Sequence, residues 1–231
     1  MSTRNTPLAD YEHPSIQRLI AERDWRSLPV YDRIGAAYQF VKDELPFGYN
    51  SDDDLPASRV LTDGYGQCNT KATLLLALLR GLGVPAKIHA FTIDKALQRG
   101  AIPNWLYPLV SPRLQHSWVE LEFEGRTIAL EGFIIDDTYL RAVQAMHPDE
   151  EQFCGFGIAT PSLHEPQLNW RGRSTFIQKS GIVDDLGVFT DPDDLYAERG
   201  TNLSGWRRAV YRRVVRHIMN WNVSRIRARA R

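Results

Sequence analysis

The chain has 231 residues, of which 43% are hydrophobic and 24% are charged, a composition typical of a folded globular protein. Lys plus Arg and Asp plus Glu both number 28, so the net charge gives no reason to expect nucleic acid or a membrane as the main partner. The length favours one sizeable core, with or without an appended subdomain, and excludes three ordinary domains.

The N-terminal sequence contains no apolar run that could serve as a secretion signal, and no stretch is long and apolar enough to cross a bilayer. We therefore expect a cytoplasmic protein. Its two cysteines are Cys68 and Cys154, and a reducing compartment favours free thiols over a disulfide between them. Cys154 lies in an apolar context, which suggests a structural role.

The first third of the sequence predicts two helices and a loop. Apolar residues recur on one side of residues 14–25 and again over 31–45, where Pro46 ends the second helix. Residues 46–63 contain Pro, Gly, Asn and Asp with little periodicity and predict a loop. The acidic run at 51–54 is expected to face water, as most charge runs do.

A strongly apolar helix is predicted over residues 69–82, immediately after Cys68. Its Leu and Ala residues cover nearly the whole circumference, which is typical of a buried helix. Residues 86–93 alternate as a strand. Residues 94–114 contain three prolines and predict a long loop, either a wall of a substrate pocket or a variable surface insertion.

Residues 115–123 and 126–135 predict a hairpin around a turn at Glu124 and Gly125. A two-residue turn places Glu131 opposite Trp118, on the same face of the sheet as His116 and diagonally adjacent to it. Glu131 is therefore the expected hydrogen-bond partner of the imidazole. A three-residue turn or a bulge would put the two side chains on opposite faces.

The sequence beyond residue 140 gives weaker signals. Asp191 followed by Pro192 predicts a helix start. A final helix is predicted from Gly205 to about Arg229, with flanking arginines and an apolar stripe that we expect to pack on the core rather than on a membrane. The stripe consists of Val210, Val214, Ile218 and Trp221.

Cys68 has the sequence surroundings of a nucleophile. It stands before the most hydrophobic helix of the chain, where unpaired amides and the helix dipole favour a thiolate and can receive an oxyanion. A thiol nucleophile also needs a base, and the base needs an orienting acceptor. The hairpin provides both, which predicts Cys68 as nucleophile, His116 as base and Glu131 as the residue that orients His116.

The order of these motifs resembles the transglutaminase-like superfamily over roughly residues 30–140. The resemblance rests on Gly66-Gln67-Cys68, Ala72, Leu74 to Arg80, Gly83-Val84-Pro85-Ala86-Lys87, and His116-Ser117-Trp118-Val119-Glu120 followed by a strand that ends in an acid. Two positions depart from the family, which usually has Asp where Glu131 stands and Ala where Ser117 stands.

The resemblance implies an α+β, papain-like catalytic core at residues 1–140, with an antiparallel sheet packed on the buried helix that begins at Cys68. Residues 141–231 are then a mainly helical extension packed on the core and ending in an Arg-rich helix. The implied activity is cysteine-dependent acyl transfer: hydrolysis of an amide, peptide or ester, or transfer of the acyl group to an amine. Protein cross-linking is the least expected activity, because neither a calcium loop nor a secretion signal is found.

We expect a small-molecule or peptidic acyl substrate and no metal or organic cofactor, because the histidines and acids lack the spacing of zinc or calcium ligands. The candidate substrate contacts are Tyr65, Gln67, Trp105, Tyr107 and Trp118. Two alternatives remain open. The chain could be a non-catalytic binding or scaffold module, or its Arg-rich C-terminal helix could bind nucleic acid or an acidic membrane surface.

Overall fold

The structure, a computed structural model, describes residues 4–229. Its helices are α1 (Pro14–Glu22), α2 (Val30–Gln39), α3 (Ala57–Asp63), α4 (Cys68–Gly81), α5 (Asp137–Met146), α6 (Pro192–Arg199), α7 (Gly205–Val210) and α8 (Arg216–Ala228). Its strands are β1 (Ala86–Asp94), β2 (Arg113–Phe123), β3 (Arg126–Leu130), β4 (Phe153–Gly155), β5 (Ile158–Thr160) and β6 (Ile182–Phe189). The fold is therefore of the predicted α+β class.

One antiparallel sheet of four strands, in the order β3-β2-β1-β6, organises the molecule. Every residue of α4 from Asn69 to Arg80 is buried, as the apolar pattern predicts. The strand side chains that join the same core as α4 alternate along β1 to β3 and are Ile88, Ala90, Val119, Leu121, Ile128 and Leu130. The opposite face of the sheet carries a smaller aromatic cluster around Phe91 and Trp118, against which Phe176 packs.

The turn between β2 and β3 determines the register of the hairpin. Glu124 and Gly125 both have positive φ angles, 50° and 72°, as a two-residue turn of the primed type requires. Phe123 lies opposite Arg126, which is the predicted register. The predicted second strand is too long, however, because β3 ends at Leu130.

The shortening of β3 has a local cause. The backbone amide of Glu131 donates to the carbonyl of Thr175 at 3.1 Å. At this point the hydrogen-bond partner is therefore a segment of the C-terminal extension and no longer β2. The chain then turns from Gly132 to Ile134. A Cβ atom at Gly132 would lie 2.5 Å from the Tyr38 hydroxyl, so only glycine allows this approach.

Two other sequence predictions need correction. The predicted loop at 46–63 contains α3, whose seven residues are too few to show a clear apolar period. The predicted loop at 94–114 contains short 3-10 turns at Lys95–Gln98 and Tyr107–Leu109.

The C-terminal extension contributes a strand that its sequence does not reveal. Strand β6 pairs with β1 through two register shifts, and Asp184 and Asp185 interrupt its apolar alternation. Helix α6 begins as predicted, with the Asp191 side chain accepting from the amide of Asp194 at 3.2 Å.

Helices α7 and α8 are joined by a π-helical turn at Tyr211–Val215. The buried side chains of this segment are Met219, Val223 and Ile226, and α8 packs on α5. The predicted packing stripe is therefore wrong in its orientation, because Val210, Val214 and Trp221 are exposed. A helix with two apolar sides does not reveal by periodicity which side meets the protein. None of the helices within residues 4–229 has the length and apolarity needed to cross a bilayer.

Candidate active site

The candidate nucleophile, Cys68, is the first residue of α4 and has a free, half-buried thiol. Gln67 precedes it in an extended conformation, and its backbone amide donates to the Thr70 hydroxyl at 3.1 Å, half of a capping box. Gly66 is required by close packing, since a Cβ there would lie 2.8 Å from the side chains of Thr70 and Lys71. The helix start is thus held rigidly.

Burial raises the pKa of the Cys68 thiol well above its usual range, and the carboxylate of Asp53 adds to the increase. The backbone amides of Asn69 and Cys68 act in the opposite direction, as expected for a helix start. The expectation that the helix start lowers the pKa of the thiol is therefore wrong for this structure, because burial outweighs the backbone amides. Deprotonation of this thiol needs a nearby base.

His116 and Glu131 form a fully buried pair, with 2.8 Å between His116 Nε2 and Glu131 Oε1. The other carboxylate oxygen of Glu131 accepts from the backbone amides of Ile177 at 2.8 Å and Gln178 at 2.9 Å. Because a carboxylate can only accept, the partners assign the proton to Nε2 of the imidazole. His116 Nδ1 is buried and has no hydrogen-bond partner within residues 4–229.

Asn69 joins the start of α4 to both neighbours of His116 in β2. Its side-chain amide donates to the carbonyl of Gln115 at 3.1 Å, and its carbonyl oxygen accepts from the Ser117 hydroxyl at 3.0 Å. Asn69 and Ser117 are both buried. No local pattern in the sequence marks this pair, although Ser117 stands where the transglutaminase-like family usually has Ala. An alanine at this position would lack the hydroxyl that donates to the side-chain oxygen of Asn69.

The C-terminal extension contributes a second link through Asn202. Asp53 accepts from the Gln67 side chain at 3.2 Å and from the Asn202 side chain at 2.9 Å. The side-chain oxygen of Asn202 in turn accepts from the backbone amide of Gln115 at 2.7 Å. Asp53 and Asn202 thus connect the residue before Cys68 with the residue before His116. No local sequence signal marks Asn202, because its partners lie far along the chain.

With a buried cysteine helix, an imidazole on the adjacent strand and a carboxylate behind it, the core can be compared with known proteins. Residues 21–131 match the family model described as Transglutaminase-like superfamily. Over these residues, just under half of the chain, the protein is similar to that superfamily. The fold, helices packed on an antiparallel sheet, is the one that the resemblance to that superfamily implies.

No curated protein matches the chain. Among solved structures, the chain is similar to a candidate cysteine protease from Cytophaga hutchinsonii, with 15% sequence identity and a TM-score of 0.44. The match covers 83% of this chain and 47% of the other, so the chain spans about half the length of that protein.

The acidic run and the C-terminal arginines pair with each other rather than facing water separately. Arg208 and Arg212 both contact the carboxylate of Asp52, whose side chain is only 4% exposed, and Arg208 also contacts Asp54. These ion pairs hold α7 and the turn that follows it against the loop that carries Asp53.

Three of the five candidate substrate contacts lie close in the fold to Cys68 or His116. Gln67 caps α4, and Tyr65, two residues earlier, accepts at its hydroxyl from Arg216 at 3.2 Å. Trp118 shares a sheet face with His116, and its indole donates to Glu120 at 3.0 Å. All three side chains are engaged in the resting structure.

The other two candidates, Trp105 and Tyr107, lie in the loop between β1 and β2. Trp105 is 65% exposed. The Tyr107 ring contacts the cationic ends of Lys95 and Arg99. The described contacts do not bring either ring to Cys68, His116 or Glu131. Within residues 4–229, no three His, Cys, Asp or Glu side chains converge as metal ligands.

Proposed function

We propose that the protein is a cysteine-dependent acyl-transfer enzyme in which Cys68 is the nucleophile, His116 the general base and Glu131 the orienting residue. One observation carries the proposal. His116 Nε2 bonds to Glu131, and His116 Nδ1 is buried without a hydrogen-bond partner within residues 4–229. Asn69 links the strand that carries His116 to the start of α4. Burying an imidazole nitrogen without a hydrogen-bond partner costs free energy, and a catalytic role is one explanation for such a group in a folded protein.

In the first half-reaction, the Cys68 sulfur forms a bond to the carbonyl carbon of an amide, ester or thioester while the thiol proton moves to Nδ1 of His116. The backbone amide of Cys68 donates to the developing oxyanion. The bond to the leaving group then breaks, and the leaving group takes the proton from Nδ1. Glu131 stabilises the imidazolium between these two transfers.

In the second half-reaction, water or an amine attacks the thioester and gives its proton to Nδ1, and the Cys68 thiol is restored. The raised pKa of Cys68 favours proton removal during attack over a preformed thiolate. We propose a small or peptidic acyl donor.

Acylation by p-nitrophenyl acetate tests the proposal in a Cys154→Ser background, since Cys154 is exposed and would also react. We expect one acetyl group per chain on Cys68, detected by intact mass, and none in Cys68→Ala. His116→Gln should slow acylation by about 10² to 10⁴-fold, the range for loss of a general base. An unchanged rate in folded His116→Gln would overturn the proposed base.

Adding a primary amine to the acetylated protein separates the two outcomes of the second half-reaction, because transfer yields the N-acetyl amine and hydrolysis yields acetate. A non-catalytic scaffold is the second candidate, favoured by the covered thiol of Cys68. It predicts no acylation of Cys68 in a chain whose near-ultraviolet circular dichroism shows an intact fold.

A further inference from the structure

The outer side of the α7–α8 segment is apolar over most of its length. Trp206 is 73% exposed and Trp221 is 59% exposed, and Val210 and Val214 lie between them on the same segment. Met219, Val223 and Ile226 are buried on the other side. Single exposed apolar residues are ordinary, but a contiguous row that includes two tryptophans marks an interaction surface.

The same side of the segment carries only positive charge. From Arg199 to Arg229 the sequence has no Asp or Glu. The inward arginines are matched by carboxylates, Asp52 and Asp54 for Arg208 and Asp136 for Arg227.

The outward arginines are arranged differently. The guanidinium of Arg207 lies 5.8 Å from the Trp206 ring centroid, and that of Arg225 lies 4.7 Å from the Trp221 ring centroid. Arg213 has no carboxylate partner within residues 4–229. These cations accompany the apolar row, and no ion pair joins them to an acid within the described residues.

A pocket of about 260 Å³ opens beside Arg225 and is also lined by Arg229, Asn104 and Asn222. The Asn222 side chain donates to the carbonyls of Gly100 at 2.9 Å and Ala101 at 2.7 Å, which ties the loop before β2 to α8.

The exposed residues of that loop continue the apolar surface. Trp105, which is 65% exposed, follows Asn104 directly, and Leu109 is 77% exposed. Two arginines therefore line the pocket; the Trp221 ring lies against one of them, Arg225, and Trp105 is the chain neighbour of the lining residue Asn104.

We propose that this surface docks on a bilayer that contains anionic phospholipid. The tryptophans and valines enter the interfacial region, and Arg225 and Arg229 bind headgroup phosphate at the pocket. Amphipathic helices that bind membrane surfaces are enriched in tryptophan, which lies at the headgroup level, and in arginine, which binds anionic lipid. A second copy of the chain would bring like charges together, and duplex DNA would not cover the apolar row.

Co-sedimentation with sucrose-loaded vesicles tests the proposal on the full chain. We expect binding to vesicles of phosphatidylcholine with phosphatidylglycerol and at least about tenfold weaker binding to phosphatidylcholine alone. Arg225→Gln with Arg229→Gln should weaken binding roughly 25-fold, at about fivefold for each arginine. Trp206→Ser with Trp221→Ser should weaken it at least about tenfold. The matched control is Val183→Ser with Val188→Ser, two exposed valines of β6, which should leave binding unchanged.

Several results would overturn the proposal. One is equal binding to both kinds of vesicle, and another is no binding to either. Duplex DNA binding that depends on the same arginines, without vesicle binding, would assign the surface to nucleic acid instead. Glycerol 3-phosphate that bound the pocket while vesicles did not would assign it to a free phosphate. Vesicle binding involves no step at Cys68. A failure of vesicle binding and a failure of Cys68 acylation can therefore be told apart, because either can occur without the other.

Discussion

Glu131→Gln tests the proposed orientation of the imidazole through the hydrogen bonds that surround residue 131. The backbone amides of Ile177 and Gln178 both donate to one carboxylate oxygen. In the isosteric glutamine, the carbonyl oxygen must stay with these donors, so the side-chain amide turns toward His116 Nε2. The amide is a donor, and it forces Nε2 to become an acceptor and the imidazole proton to move to Nδ1.

The expected loss follows from that tautomer. A protonated Nδ1 cannot accept the thiol proton, and no carboxylate remains to stabilise the imidazolium. Conversion of the orienting carboxylate to an amide in a Ser-His-Asp triad costs about 10⁴-fold. We expect Glu131→Gln to slow acetylation of Cys68 by p-nitrophenyl acetate by about 10³ to 10⁴-fold, or about 4 to 5.5 kcal/mol of activation free energy.

Two measurements separate this effect from misfolding. The ¹⁵N chemical shifts of the His116 ring report its tautomer directly, and the proton should move from Nε2 to Nδ1 in the variant. Glu122→Gln is the matched control, since Glu122 lies on the same hairpin but is exposed, and it should stay within about twofold of the unsubstituted chain. A reversed tautomer with an unchanged acylation rate would refute the reasoning, as would a large loss of rate with the tautomer unchanged.

Two further substitutions test the loop at residues 52–54. Asp53→Asn removes a negative charge that raises the pKa of the Cys68 thiol, so iodoacetamide should alkylate Cys68 with a midpoint at lower pH; an unmoved midpoint would contradict the assigned cause. Arg208→Ala should lower the free energy of unfolding in urea by about 1 to 2 kcal/mol, because it leaves Asp52 with one cation. This is below the cost in a fully buried pair, as Arg208 is 31% exposed. Arg213 lies on the same segment and forms no ion pair within residues 4–229, so Arg213→Ala should change the free energy of unfolding by less than about 0.5 kcal/mol. Equal losses in the two variants would argue against the pairing.

The elements that the sequence predicts well are those with a strong local signal. The all-round apolar pattern after Cys68 requires burial, and α4 is buried from Asn69 to Arg80. Glu124 and Gly125 suit a primed two-residue turn, and that turn alone determines that His116 and Glu131 share a face. Local sequence signals therefore sufficed to predict the helix that begins at Cys68 and the pairing of His116 with Glu131.

The rest of the site depends on contacts between distant parts of the chain. The thiol pKa of Cys68 depends on how deeply the folded chain buries it, which outweighs the helix start. Asn202 reaches Asp53 and Gln115 across 149 and 87 positions, and no periodicity encodes such partners.

The last helix separates most clearly what the sequence determines from what the tertiary structure determines. Its sequence determines that it is helical, amphipathic and rich in arginine. Only the tertiary structure decides that Met219, Val223 and Ile226 face the protein while Val210 and Trp221 face solvent. A helix with two apolar sides is docked by the side whose shape and charges fit its neighbours, and those neighbours are known only once the chain has folded.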